Sequence, residues 1–216
     1  MTTDFEKYLT PEKQDQCRAL LQAYLAKQGF FRPGGKVFFL SSFLDRQTSS
    51  ARIMCDSGIA EEDLVFIDKS DLGEIPFCLN NFPKAHGIEA WWDDAIESYP
   101  KDSNGNLKDV IIVWLDHVLM PENPDLLKST HETMNVCGKN VLFVVNTVLR
   151  ARHRNYNGVE GAPGIIKGGR DQFFRSLREE MGPDGDRWFA IEPKWKAYRQ
   201  HTAKQDMGIY LFWSAE

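Results

Sequence analysis

Several stretches of this chain are apolar without the alternation that leaves one side in water. Lys36–Leu40 reads KVFFL, residues 63–68 DLVFID, 110–115 VIIVWL and 141–145 VLFVV. Such unbroken runs, each bounded by turn residues, suit strands buried on both faces, as in a parallel sheet covered by helices. The run at 110–113 is the purest and is expected to lie centrally. Residues 87–92 predict a further strand, ending at Asp93 and Asp94. Residues 187–191 and 207–213 predict two more, with 192–206 forming either an antiparallel hairpin or a long loop.

Between these runs the period lengthens to that of a helix. Thr10 and Pro11 open an N-terminal helical segment within residues 1–30, closed by Gly29. A helix over 49–57 is stopped by Gly58. Another over 125–136 turns Leu126, Leu127 and Met134 inward. A third over 171–181 places Phe173, Phe174, Leu177 and Met181 on one face. Residues 71–83 hold Gly, Asn and two prolines, which predicts loop with at most one helical turn. Residues 150–170 differ in kind, with five glycines, five basic residues and little that builds a core. A long loop is expected there, either a functional lid or a disordered segment.

Length and composition narrow the picture modestly. The 216 residues fit one domain, 42% hydrophobic and 26% charged, with an even enough mixture for a soluble protein. A net charge of −5 argues against nucleic acid as a whole-surface partner. Cys17, Cys55, Cys78 and Cys137 show no metal-ligand spacing and read as free thiols in a reducing compartment. No metal site is expected. The polar N-terminus lacks a signal-peptide core, and no apolar run approaches a bilayer's thickness, so a cytoplasmic protein without membrane contact is expected.

Chemistry is expected at the carboxyl ends of the strands, where open α/β sheets place their ligand crevice. Asp68 closes the second run, and Trp114, Leu115, Asp116 and His117 close the central one. Asp68 suits a sugar diol, or else caps the turn after its strand. Asp116 and His117 suit alignment and deprotonation of a substrate, or else helix capping and packing. Trp91, Trp92 and Trp114 are expected near the same rim, able to attract a cation or simply to pack. Arg150, Arg152 and His153 in the basic stretch suit an anionic substrate group, with His153 a second candidate base. Phosphate-loop, dinucleotide, zinc-protease and nucleophile-elbow motifs are all lacking.

This order of elements resembles the class I S-adenosylmethionine-dependent methyltransferases over most of the chain, from about Leu20 to Trp213. The resemblance implies a three-layer Rossmann-like α/β sandwich with a mostly parallel seven-stranded sheet and an antiparallel last strand. It implies S-adenosylmethionine as cofactor. Leu40, Ser41, Ser42, Phe43 and Asp45 would contact its methionine portion and Asp68 its ribose. Asp93 or Asp94 would lie near the adenine, with Trp114 and Leu115 beside the cofactor. Asp116 and His117 would flank a small-molecule or peptide acceptor, with Trp92, Arg150, Arg152 and His153 on the substrate side. The family's first turn is glycine-rich, whereas Ser41 and Ser42 stand here. A non-catalytic binding or scaffold relative, and a nucleotide-using Rossmann-like transferase, are therefore the alternative expectations.

Overall fold

The computed structural model describes residues 34–40, 49–69, 71–116, 123–150, 163–200 and 205–214. The expected N-terminal helix over 1–30 lies outside them. In chain order the elements are β1 (Lys36–Leu40), α1 (Ser50–Asp56), β2 (Leu64–Ile67), α2 (Glu74–Asn81), β3 (His86–Ile88), α3 (Trp92–Ser98) and β4 (Val110–Asp116). Then follow α4 (Pro124–Asn135), β5 (Leu142–Arg150), α5 (Pro163–Met181), α6 (Asp186–Phe189), β6 (Lys194–Gln200) and β7 (Gln205–Trp213).

The seven strands form one sheet in the order β3-β2-β1-β4-β5-β7-β6. Pairings from β3 through β5 are parallel, and β7 runs antiparallel to both β5 and β6. This is the mostly parallel sheet with an antiparallel last strand that the sequence led us to expect. Helices cover both faces, which is why the central strands show no alternation. Phe39, Phe66, Trp114 and Val144 pack on one face against Ile53 and Met54 of α1 and Ile75 of α2. Phe38, Ile67, Leu115 and Phe143 pack on the other against α3, α4, α5 and Trp188 of α6.

Local chemistry fixes the helix starts. The Ser49 hydroxyl accepts from the Arg52 N–H at 3.3 Å and caps α1. Asn123 caps α4 by accepting from the amides of Asp125 and Leu126, with Pro124 at the first helical position. Both satisfy amide groups that the helix itself leaves open. Gly58, at φ +97°, ends the segment after α1 in a backbone region that other residues avoid.

Four expectations change. Residues 74–81 form a helix where a loop was expected, because Pro76 falls in the first turn, whose amides have no intrahelical partner anyway. The third strand is His86–Ile88, so Trp92 begins α3 instead of ending a strand. Trp92, Ala95 and Ile96 share the buried side of that helix, a helical spacing hidden behind the preceding polar residues. Residues 186–189 are helical where a strand was expected. Trp188 points into the core with its ring 5.7 Å from that of Phe143, an anchor that a sheet edge would not provide. The sixth strand is instead Lys194–Gln200, and it forms the antiparallel hairpin with β7.

The long-loop reading of 150–170 is also corrected at both ends. Arg150 is the last residue of β5, and α5 already begins at Pro163. Gly164, Gly168 and Gly169 each cost a helix about 1 kcal/mol relative to alanine, which obscured its first turns. Residues 151–162 lie outside the described part.

Candidate functional site

The parallel strands all end on one rim. Leu40 of β1 pairs with Ile67 of β2, and Phe39 with Trp114 of β4. Asp68 and Asp116 therefore stand one step beyond Leu40, on either side of β1. Two inter-strand steps of about 4.8 Å separate their strands, so roughly 10 Å lies between them. Between β1 and β4 the strand order reverses, since consecutive elements lead outward from β1 to β3 and then return to β4. Open α/β sheets bind ligands at that reversal.

Asp68 is half-buried, and its N–H donates to the carbonyl of Ile88 at 3.2 Å, tying the ends of β2 and β3 together. Asp93 and Asp94 lie exposed in the first turn of α3, which follows β3. Carboxylates there are favoured by the helix dipole. That explains their presence with or without a ligand.

Asp116 ends β4 on the face shared with Ile112 and Trp114, as alternation requires. Directly across from it in register stands Asn146 of β5. The Asn146 side-chain amide donates to Asp116 Oδ1 at 3.1 Å. Asn146 is fully buried and its Oδ1 has no hydrogen-bond partner. A carboxylate only accepts, so the amide nitrogen must face Asp116 and the oxygen must face away. An unmet buried acceptor costs about 1–3 kcal/mol. Asn146 went unnoticed in the sequence, where the signal is a polar residue immediately after the apolar run 141–145.

The three tryptophans do not gather. Trp91 is exposed, Trp92 packs between α3 and α4, and Trp114 lies on the opposite face of the sheet. The Trp92 indole N–H donates to Thr133 Oγ1 at 2.8 Å, which ties α3 to α4. Trp114 is fully buried, its ring 6.1 Å from that of Phe39 and near parallel to it. Leu115 is buried on the far face, among the residues packed against α3 to α5. Both therefore build the floor beneath the rim. Leu40 is half-buried at the end of β1. Arg150 ends β5 opposite Asp206 of β7. Ser41, Ser42, Phe43, Asp45, His117, Arg152 and His153 lie outside the described residues.

Two further features bear on chemistry. Cys137 is fully buried, and burial pushes its thiol up to about 12. Among the described residues no three His, Cys, Asp or Glu side chains gather to hold a metal ion, and no helix is long and apolar enough to cross a membrane.

No protein-family model matches the sequence, and no curated protein does. Solved structures do match. The plantazolicin methyltransferase BamL, crystallised with a triazolic desmethylPZN analogue and SAH, is 8% identical, with 95% of this chain and 86% of that chain covered and a TM-score of 0.57. An O-methyltransferase from Bacillus cereus in complex with SAH is 12% identical, covering 94% of this chain and 81% of that one, TM-score 0.54. The N-methyltransferase NodS from Bradyrhizobium japonicum is 12% identical, covering 96% and 98%, TM-score 0.52. At these identities the likeness is one of architecture. The strand order, the antiparallel β7 and the helices on both faces agree with it: this chain has the class I S-adenosylmethionine-dependent methyltransferase fold.

Proposed function

We propose that this protein is a methyltransferase that uses S-adenosylmethionine and acts on a small-molecule or peptide acceptor. The observation that carries the reading is the placement of Asp68 and Asp116 on one rim, on either side of β1, at the point where the strand order reverses. Two of the similar structures were crystallised with SAH, which supports the same cofactor.

The residues present fit that group. A half-buried carboxylate that only accepts, such as Asp68, matches the two hydroxyl donors of a ribose diol. The roughly 10 Å between the β2 and β4 ends leaves room for the ribose on one side and the reacting centre on the other. When bound, the cofactor supplies a methyl group on a positively charged sulfur. Asp116 is then the residue that orients the acceptor and takes up its proton, and Asn146 holds that carboxylate in place. Phe39, Trp114 and Leu115 below the rim keep water out of the floor and so strengthen the polar contacts above it.

A thermal-shift titration tests the reading. Stabilisation by S-adenosylmethionine and by S-adenosylhomocysteine is expected. Asp68→Ala is expected to weaken that binding at least tenfold, since about 1.5–3 kcal/mol attaches to a hydrogen bond with a charged acceptor. No shift with either compound sinks the proposal, and a shift with nucleoside phosphates alone transfers the site to a nucleotide-using enzyme. Unchanged affinity in the variant removes Asp68 from the site.

A further inference from the structure

We propose that Asn146 selects the acceptor, and that the acceptor is a primary or secondary amine held between the Asn146 amide oxygen and the Asp116 carboxylate. This rests on the methyltransferase reading and narrows it.

Asp116 and Asn146 face each other across β4 and β5 at the rim, and their hydrogen bond of 3.1 Å fixes which way the amide points. The nitrogen gives one of its two hydrogens to Asp116. The oxygen is left fully buried and unmatched. Buried polar atoms are almost always paired, so an unpaired one beside a ligand crevice marks a place where a ligand donor belongs. The pair thus offers two acceptors side by side, the Asn146 amide oxygen and the negatively charged Asp116 carboxylate.

That chemistry discriminates among acceptors. An amine arriving as its ammonium brings one positive charge and two or three N–H donors, enough for both residues. An alcohol brings a single donor and no charge. A carboxylate or phenolate brings no donor and is repelled by Asp116. A divalent cation prefers several oxygen ligands with more than one carboxylate, and no third carboxylate, histidine or cysteine joins this pair among the described residues.

The chemistry closes without another reactant. The ammonium gives one N–H proton to the Asp116 carboxylate. The nitrogen lone pair then forms the N–C bond to the methyl carbon, while the C–S electron pair moves to sulfur. The sulfonium becomes a neutral thioether, and the product keeps the positive charge as an N-methylammonium. Asp116 releases its proton to solvent.

The test uses the whole chain saturated with S-adenosylhomocysteine, titrated with benzylamine and n-butylamine and, separately, with benzyl alcohol and 1-butanol. The amines are expected to raise the melting temperature and the alcohols to leave it unchanged. In Asn146→Leu and Asn146→Ala the amine response should weaken at least tenfold, while affinity for S-adenosylhomocysteine stays within twofold. Equal responses to alcohols and amines, or an amine response that survives in both variants, overturns the proposal. So does a response to Mg²⁺ with none to the amines, which would give the site to a metal ion. If S-adenosylhomocysteine binds and no amine does, only the amine assignment falls. If it does not bind the wild-type protein, the methyltransferase reading falls with it.

Discussion

The end of α4 depends on a residue far along the chain, and removing it gives a measurable cost. Arg187 of α6 places Nη2 2.7 Å from the carbonyl of Met134 and 3.1 Å from that of Cys137, where α4 runs out. The Met134 carbonyl also accepts from the Cys137 N–H at 3.3 Å, and the Cys137 carbonyl lies just past the helix end, where acceptors outnumber backbone donors. Its guanidinium also lies over Trp188, 5.4 Å from the ring. A hydrogen bond from a charged donor contributes about 1.5–3 kcal/mol, and a cation at a helix C-terminus adds about 0.3–1 kcal/mol. The two carbonyls share one nitrogen, so the bonds do not add fully. Arg187→Ala is therefore expected to cost about 2–4 kcal/mol, and Arg187→Lys roughly half, since it keeps the charge but not the reach. Urea denaturation followed by far-UV circular dichroism reads this as a lower midpoint at unchanged slope. At about 2–4 °C per kcal/mol for a chain of this size, Arg187→Ala should melt about 4–16 °C lower. A loss under 0.5 kcal/mol would show that water serves the backbone carbonyls equally well and that Arg187 does not hold the end of α4.

Other perturbations follow from close packing and burial. A Cβ added at Gly35 would meet three carbons of Ile111 at 2.7, 2.7 and 2.9 Å, and Ile111 is itself buried. Gly35→Ala should cost about 1–3 kcal/mol through overpacking; a neutral midpoint in the same urea assay would show that Ile111 can move aside. Cys137, with its thiol pushed up to about 12, should resist iodoacetamide at pH 8 in the native state and react fully in urea. Mass spectrometry of the modified peptides decides it, and rapid native labelling contradicts the burial. Because this thiol is raised in the folded chain, it contributes stability below its ordinary value of 9.0 that is lost as pH climbs toward 12. A chain whose stability stays level from pH 8 to 11, with Cys137→Ala behaving identically, would contradict that.

The sheet was legible because burial on both faces leaves an unmistakable trace in composition. KVFFL and VIIVWL can hardly be anything else, and the rim follows once their direction is known. What escaped detection has physical causes. Residues 74–81 carry Pro76, a helix breaker everywhere except in the first turn where it stands. The start of α5 carries three glycines, tolerated because the later turns anchor it through Phe173 and Leu177. Trp188 and Phe189 have strand-like identities, yet local helix formation lets Trp188 reach Phe143. The tryptophans could have attracted a cation or simply packed; Trp92 and Trp114 pack on opposite faces of the sheet, and Trp91 is exposed. Asn146 needed the register of β4 against β5 before its partner could be known.

The position of β7 has a consequence for the growing chain. Residues 205–213 do not border the sheet but fill a slot inside it, wedged between β5 and β6. During synthesis, β5 must wait for more than fifty further residues to leave the ribosome before one of its sides is paired. Until then a mostly apolar nine-residue strand presents a bare hydrogen-bonding flank, the kind of surface on which nascent chains stick together. Early termination within β7 would be harsher than its length suggests, because β6 would lose its sole neighbour among the described strands along with it.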